Sequence, residues 1–162
     1  MIYIRTDANP DIGLGHIMRC LSIADAAMSS GESAMFILAD RTVRDLVEKR
    51  GYRTFVLNSD YRNMEGELKA WPQIGTDIII VDSYHVTVDY LTVLRRQAKL
   101  VYIDDLVAFP YPADALINYN IFSTSEDYKK LYKESNVEIP QLIIGPHYAP
   151  LRTMFRNIPP RI

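Results

Sequence analysis

Between Asp77 and Asp82 the chain reads Ile78-Ile79-Ile80-Val81, four apolar residues with no polar alternation. A strand with one wet face alternates apolar and polar side chains. An unbroken run is instead a strand covered on both faces, the situation of a parallel sheet with helices on either side. Apolar, β-branched runs of this kind recur at Ile2–Arg5, Ala34–Leu38, Thr54–Leu57, Asp77–Val81, Leu100–Ile103, Ala115–Ile117 and Leu142–Ile144. Between them the period becomes helical. After Gly15-His16, the residues Ile17, Cys20, Leu21, Ala24 and Met28 fall on one stripe, with Gly31 past its end. Met18 and Met28 are read as core, as is Cys20. A second helix is expected from an Asp40 N-cap through Val43, Leu46 and Val47 to Gly51. A third carries Met64, Leu68 and Trp71, a fourth Tyr90, Leu91 and Leu94, and a short one lies near Glu126–Glu134. Strands alternating with helices of this length predict α/β architecture with a doubly wound, mostly parallel sheet.

A length of 162 residues suits one compact domain. With 18 basic and 20 acidic residues, the chain lacks the basic excess of a nucleic-acid binder. Its apolar runs are far shorter than the roughly 20 residues that span a bilayer, and residues 1–20 do not read as a secretory signal. The single cysteine, Cys20, precludes an internal disulfide and a cysteine-based zinc cluster. A cytoplasmic protein with no nucleic-acid or membrane partner is the expectation. The closing GPHYAPLRTMFRNIPPRI, with Pro159-Pro160, reads as a stiff exit. The expected division is therefore a domain over 1–150 and an exit segment over 151–162.

Ligands of open α/β sheets bind beyond the carboxyl ends of the strands, where strand order reverses. The first strand delivers Asp7 and the loop Asp11-Ile12-Gly13-Leu14-Gly15-His16 to that edge. The fourth delivers Asp82-Ser83-Tyr84-His85, the fifth Asp104-Asp105 and the sixth Asn118-Tyr119-Asn120. If the first and fourth strands are neighbours, the glycine loop and the DSYH loop meet, and His16 comes near His85. Gly13 and Gly15 are not a dinucleotide fingerprint, because the third glycine is replaced by Met18; Asp40 as a ribose-binding acid is explained equally by a cap. No P-loop is present. The loop still lets a ligand approach the positive end of a helix.

His16, in the first helical turn, reads either as an acceptor of a proton from water or a hydroxyl, or as a residue that only braces the loop. Arg19, one turn on, reads as a phosphate or carboxylate ligand, or as an ion-pair partner of Asp7 or Asp11. Asp82 either orients His16 or caps the next helix. Tyr84 either contacts a sugar or packs. Asp104 and Asp105 suggest an acid/base pair or metal site, against which stands a loop-capping role.

These residues also resemble a family. The opening IYIRTDANPDIGLGHIMRCLSIADAA is similar to the start of the UDP-sugar hydrolases of the pseudaminic acid pathway, whose pattern R-x-D…I-G-x-G-H-x-x-R is matched by Arg5, Asp7, Ile12, Gly13, Gly15, His16 and Arg19. The similarity continues in order through IIIVDSYHV, VYIDD, LINYN and IIGPHYAPLRTMF. Spore-coat polysaccharide biosynthesis proteins share the pattern. The resemblance implies a Rossmann-like N-terminal domain of a GT-B-like two-domain architecture, missing here its C-terminal nucleotide-binding domain. It implies water attack on a UDP-linked diacetamido-trideoxy sugar, with His16 positioning the water, Tyr84 contributing to the site, and no metal or redox cofactor. With Asp82 orienting His16, the catalytic set is His16, Asp82 and Tyr84. Substrate contacts are then expected from Asp7, Gly13, Gly15, Arg19, His85, Asp104 and Asn118. Where some relatives have Asp-His-Tyr, this chain has Asp82-Ser83-Tyr84 followed by His85. A glycosyltransferase of the same architecture and a non-catalytic nucleotide- or partner-binding module are the alternatives.

Overall fold

A computed structural model describes residues 1–74, 77–152 and 155. Among these residues seven strands are formed: β1 (Ile2–Thr6), β2 (Ala34–Leu38), β3 (Arg53–Val56), β4 (Ile78–Asp82), β5 (Lys99–Ile103), β6 (Ala115–Asn118) and β7 (Gln141–Ile144). Five α-helices alternate with them: α1 (Gly15–Ser29), α2 (Arg44–Lys49), α3 (Met64–Glu67), α4 (Val88–Arg95) and α5 (Ser125–Tyr132). The strands make one sheet of order β3-β2-β1-β4-β5-β6-β7, and every pairing is parallel. The winding reverses between β1 and β4, whose register sets Thr6 opposite Asp82. The β5–β6 connection crosses over without a helix, through residues 104–114.

Three of the four apolar residues of β4 are accounted for by burial on the two faces of the sheet. Ile80 joins a core made with Ile4, Phe36, Leu38, Ile103 and the buried face of α1. Its neighbours Ile79 and Val81 join the opposite core, with Tyr90, Leu91 and Leu94 of α4 and Tyr128 and Tyr132 of α5. From Ile79 to Val81 the side chains thus alternate between two apolar layers, as a sheet covered on both faces requires, while Ile78 at the start of the strand is exposed.

Local chemistry sets the helix ends. Thr87 accepts from the Tyr90 N–H at the start of α4, and Thr124 and Asp127 form a reciprocal capping box on α5. Gly31 and Gly51 close α1 and α2 at φ values of 85° and 86°, in the region glycine occupies without steric cost.

Three sequence expectations are corrected. Asp40 is not the cap of α2; it accepts from the Thr42 N–H in a turn, and the helix begins later with Val43 at its cap position and no side-chain cap. The third helix is a single α turn followed by a 3-10 turn at Leu68–Ala70, so Trp71 packs on the core from beyond the helix. Met28 is half exposed rather than core, because the α1 stripe drifts off the sheet in its last turn. Met18 does pack on the core. The exit-segment residues Pro159 and Pro160 lie outside the described residues.

Ile79→Ala, in a fully buried position, is expected to cost about 2–5 kcal/mol, whereas Met28→Ala should stay within about 0.5 kcal/mol. Urea denaturation of both variants checks this; equal losses would put Met28 back in the core.

Candidate functional site

The strand-order reversal brings the ends of β1 and β4 side by side, and the polar residues collect there. A cavity of about 20 Å³ is lined by Asp7, Ile12, His16, Asp82, Ser83, Tyr84 and His85. That volume is room for one water molecule. The glycine loop and the DSYH loop therefore do meet, and His16 and His85 wall the same space.

Asp82 is the hub. It is almost wholly buried, and a buried carboxylate must be paired and hydrogen-bonded. Arg19 supplies both: its Nε donates to Oδ2 and its Nη2 to Oδ1, each at 2.6 Å. The His16 Nδ1 lies 2.5 Å from Oδ1, and the Cys20 thiol donates to Oδ2 at 3.4 Å. Burial pushes the Asp82 carboxyl up, and the hydrogen bonds and charge of Arg19 and His16 more than reverse this, leaving it below the usual carboxylate value. The remaining Arg19 donors reach Asp105 and the Tyr119 hydroxyl, both at 2.8 Å. Arg19 therefore pairs with Asp82 and Asp105, not with Asp7 or Asp11.

His16 is buried although it lies off the apolar stripe of α1. With its Nδ1–H donated to Asp82, the neutral ring carries its lone pair on Nε2, which has no hydrogen-bond partner among the described residues. The Tyr84 ring meets the imidazole edge-on, with centroids 4.6 Å apart, and its hydroxyl donates to Asp105 at 3.0 Å. Burial and the nearby Asp105 charge raise the Tyr84 phenol above its usual value. It is a donor at neutral pH. Chemically, the arrangement is a carboxylate-oriented imidazole with one free nitrogen, beside a space for one small molecule.

The glycine loop approaches this space along α1. Gly13 holds φ at 77°, a left-handed conformation that a side chain would strain. At Gly15 a Cβ would meet nothing within 4 Å, so the surface over the first turn of the helix is open. Two lining residues are tied to one exposed cluster at the surface. Asp11, next to Ile12, accepts from Arg62 at 2.8 Å and from the Tyr61 hydroxyl at 3.3 Å, and the Tyr61 ring lies 5.3 Å from that of His85.

Other expected residues are placed differently. Asp104 is fully buried and accepts from the N–H groups of Leu106 and Val107 and the hydroxyls of Tyr111 and Tyr128. It staples the β5–β6 connection, the loop-capping alternative. Asn118 donates to Tyr128 and accepts from the Asn120 N–H. Neither lines the cavity. Asp7 does, backed by an ion pair with Arg5. Arg5 in turn is clamped by Glu67, a residue that sequence reasoning missed. Its signal was an acid three residues after Met64, inside the apolar stripe of its helix. Among the described residues no three His, Cys, Asp or Glu side chains cluster to hold a metal ion, and no helix is long and apolar enough to cross a membrane.

No family model matches the chain. The chain is similar to an uncharacterized protein of Methanocaldococcus jannaschii, 27% identical over 165 residues, which cover 97% of this chain and 32% of that protein. It is also similar to the UDP-2,4-diacetamido-2,4,6-trideoxy-β-L-altropyranose hydrolase of Campylobacter jejuni, 24% identical over 132 residues, covering 80% of this chain and 45% of the relative. The chain thus spans less than half the length of either curated relative.

Asp82→Asn would leave Arg19 paired only with Asp105 at the edge of solvent and weaken its charged hydrogen bonds to position 82, and is expected to cost about 1.5–3 kcal/mol at neutral pH. Because the folded carboxyl lies below its unfolded value, its contribution is full above about pH 4 and is lost as pH falls through the folded value. The gap between wild type and variant in urea denaturation should therefore narrow as pH falls below about 4. A gap that is constant with pH would mean that the Asp82 charge does not stabilise the fold.

Proposed function

We propose that this chain is the N-terminal half of a UDP-sugar hydrolase that uses water to cleave a UDP-linked diacetamido-trideoxy sugar, releasing UDP and the free sugar. The observation that carries the reading is the Asp82–His16 contact beside a cavity the size of one water. Support comes also from the ordered motif resemblance and from a distant relative that is itself a UDP-sugar hydrolase.

UDP is a good leaving group, so the protein's task is to place water, exclude other acceptors and meet developing charge. Asp82 holds His16 through Nδ1, and Nε2 takes a proton from water as the water oxygen bonds to the anomeric carbon. The bond from that carbon to the phosphate oxygen breaks, and its electron pair leaves with UDP. Tyr84 packs on the imidazole and holds its orientation. Gly13 and Gly15 let the diphosphate approach the positive end of α1. Arg19 serves by balancing the Asp82 charge. A cavity for one water favours hydrolysis over transfer to a sugar hydroxyl.

The proposal includes residues 1–150 as a Rossmann-like domain, with 151–162 leading to a second, nucleotide-binding domain in a GT-B-like arrangement. The setting is cytoplasmic synthesis of pseudaminic acid or a surface polysaccharide, with no metal or redox cofactor.

UDP release from this sugar nucleotide in water, without an acceptor, tests the reading on the full-length protein and on the 162-residue chain. Release by the long form alone is expected. His16→Ala should lower its turnover by about 10²–10⁴ while changing substrate affinity less than about threefold. Parallel losses in both would make His16 a binding or structural residue; release by neither form would overturn the hydrolase reading.

A further inference from the structure

Arg5 and Glu67 are both completely buried, and the mechanism above uses neither. Arg5 Nε donates to Glu67 Oε1 at 2.7 Å and Nη2 to Oε2 at 2.8 Å, a bidentate clamp. Tyr90 and Ser59 hydroxyls add bonds to the same carboxylate at 2.7 and 3.1 Å. A single carboxylate already matches a single guanidinium, yet Arg5 Nη1 also pairs with Asp7. Two carboxylates round one cation leave a net negative charge in a buried site, which is costly and not required by packing.

We infer that Glu67 is a positioning residue, which acts through Arg5 to hold Asp7 in place against the occupant of the His16 cavity. Glu67 takes both donors on one side of the planar guanidinium, so the plane is fixed and Nη1 is delivered to Asp7 Oδ2. The Ala39 N–H fixes Oδ1 at 2.8 Å. With each oxygen anchored once, Asp7 has lone pairs left for a ligand.

Glu67 also adds to the electrostatics of Asp7, which burial dominates. Burial pushes the Asp7 carboxyl up, Arg5 and the Ala39 N–H pull it down, and the Glu67 charge pushes it up again, leaving it above the usual carboxylate value. The groups that share this field are Arg5 on β1, Glu67 on α3, and His16, Asp82 and His85 round the cavity. Arg5 and Arg19 are both taken up by carboxylates, so neither offers a free guanidinium to the cavity. The cavity suits an uncharged partner the size of one water, and turns a phosphate away. This assignment of the occupant rests on the hydrolase reading; the action of Glu67 on Asp7 does not.

Carboxyl-carbon NMR titration of the folded chain tests it. In wild type, the Asp7 midpoint should lie above the unperturbed value of about 3.9, and the Glu67 carboxyl carbon should show an inflection at that same midpoint. In Glu67→Gln, removal of the like charge should move the Asp7 midpoint down. Ser59→Ala keeps the Glu67 charge and should leave the midpoint in place. An unmoved midpoint in folded Glu67→Gln would show that Glu67 merely ties α3 to the sheet, and overturns the inference. Should that variant not fold, the wild-type inflection decides, and its absence has the same meaning. Because the readout is Asp7 and not turnover, a failed UDP-release assay would sink the hydrolase reading and leave this result standing.

Discussion

The carboxylate of Asp82 ends a strand that is otherwise wholly apolar, in the middle of a sheet covered on both sides. A charge at that depth is tolerable only if a cation reaches it, and Arg19, one turn into α1, is the cation that does. Everything nearby follows from this pair. It sets the rotation of α1 about its axis, since Arg19 and His16 must share the face turned to β4. It fixes which imidazole nitrogen is occupied. Through the Arg19 contact with Asp105 it also places the Tyr84 hydroxyl. The site is one connected network, and removing any member leaves another polar group stranded.

A second charged cluster lies behind the first and obeys the same rule with a different balance. Asp82 and Arg19 are matched one to one, with Asp105 at the edge of solvent taking the remaining donors. Arg5, by contrast, answers to two enclosed carboxylates. The two acids facing the cavity thus depart from their usual values in opposite directions, Asp82 downward and Asp7 upward. Environments that push neighbouring carboxyls apart are characteristic of working sites.

Much of this was legible in the residues. All seven strands fall within one residue of their expected positions, because a doubly covered strand leaves a dense, contiguous apolar signal. The meeting of His16 with Asp82, 66 positions apart, follows from topology alone once β1 and β4 are neighbours. Helix ends were less legible: Asp40 has the chemistry of a cap, but it serves a turn three residues before the cap position of the helix. Asp104 illustrates a different limit. An acid at a strand end reads the same whether it faces a ligand or a loop, and only the buried hydroxyls of Tyr111 and Tyr128 decide. Glu67 was hidden because its partners lie on three separate elements.

The Asp11–Arg62 contact beside the cavity is of another kind. Both side chains are mostly in solvent, where such a pair contributes about 0–1 kcal/mol and is screened over roughly 8 Å at physiological ionic strength. The inner network is shielded from bulk ions and keeps its geometry as salt changes. The outer contact is open to them and weakens as ionic strength rises, whereas the Asn9 carboxamide, which accepts from the Asp11 and Ile12 N–H groups, holds the turn of the same loop without charge. The rim of the site thus rests on a neutral turn and its interior on paired ions.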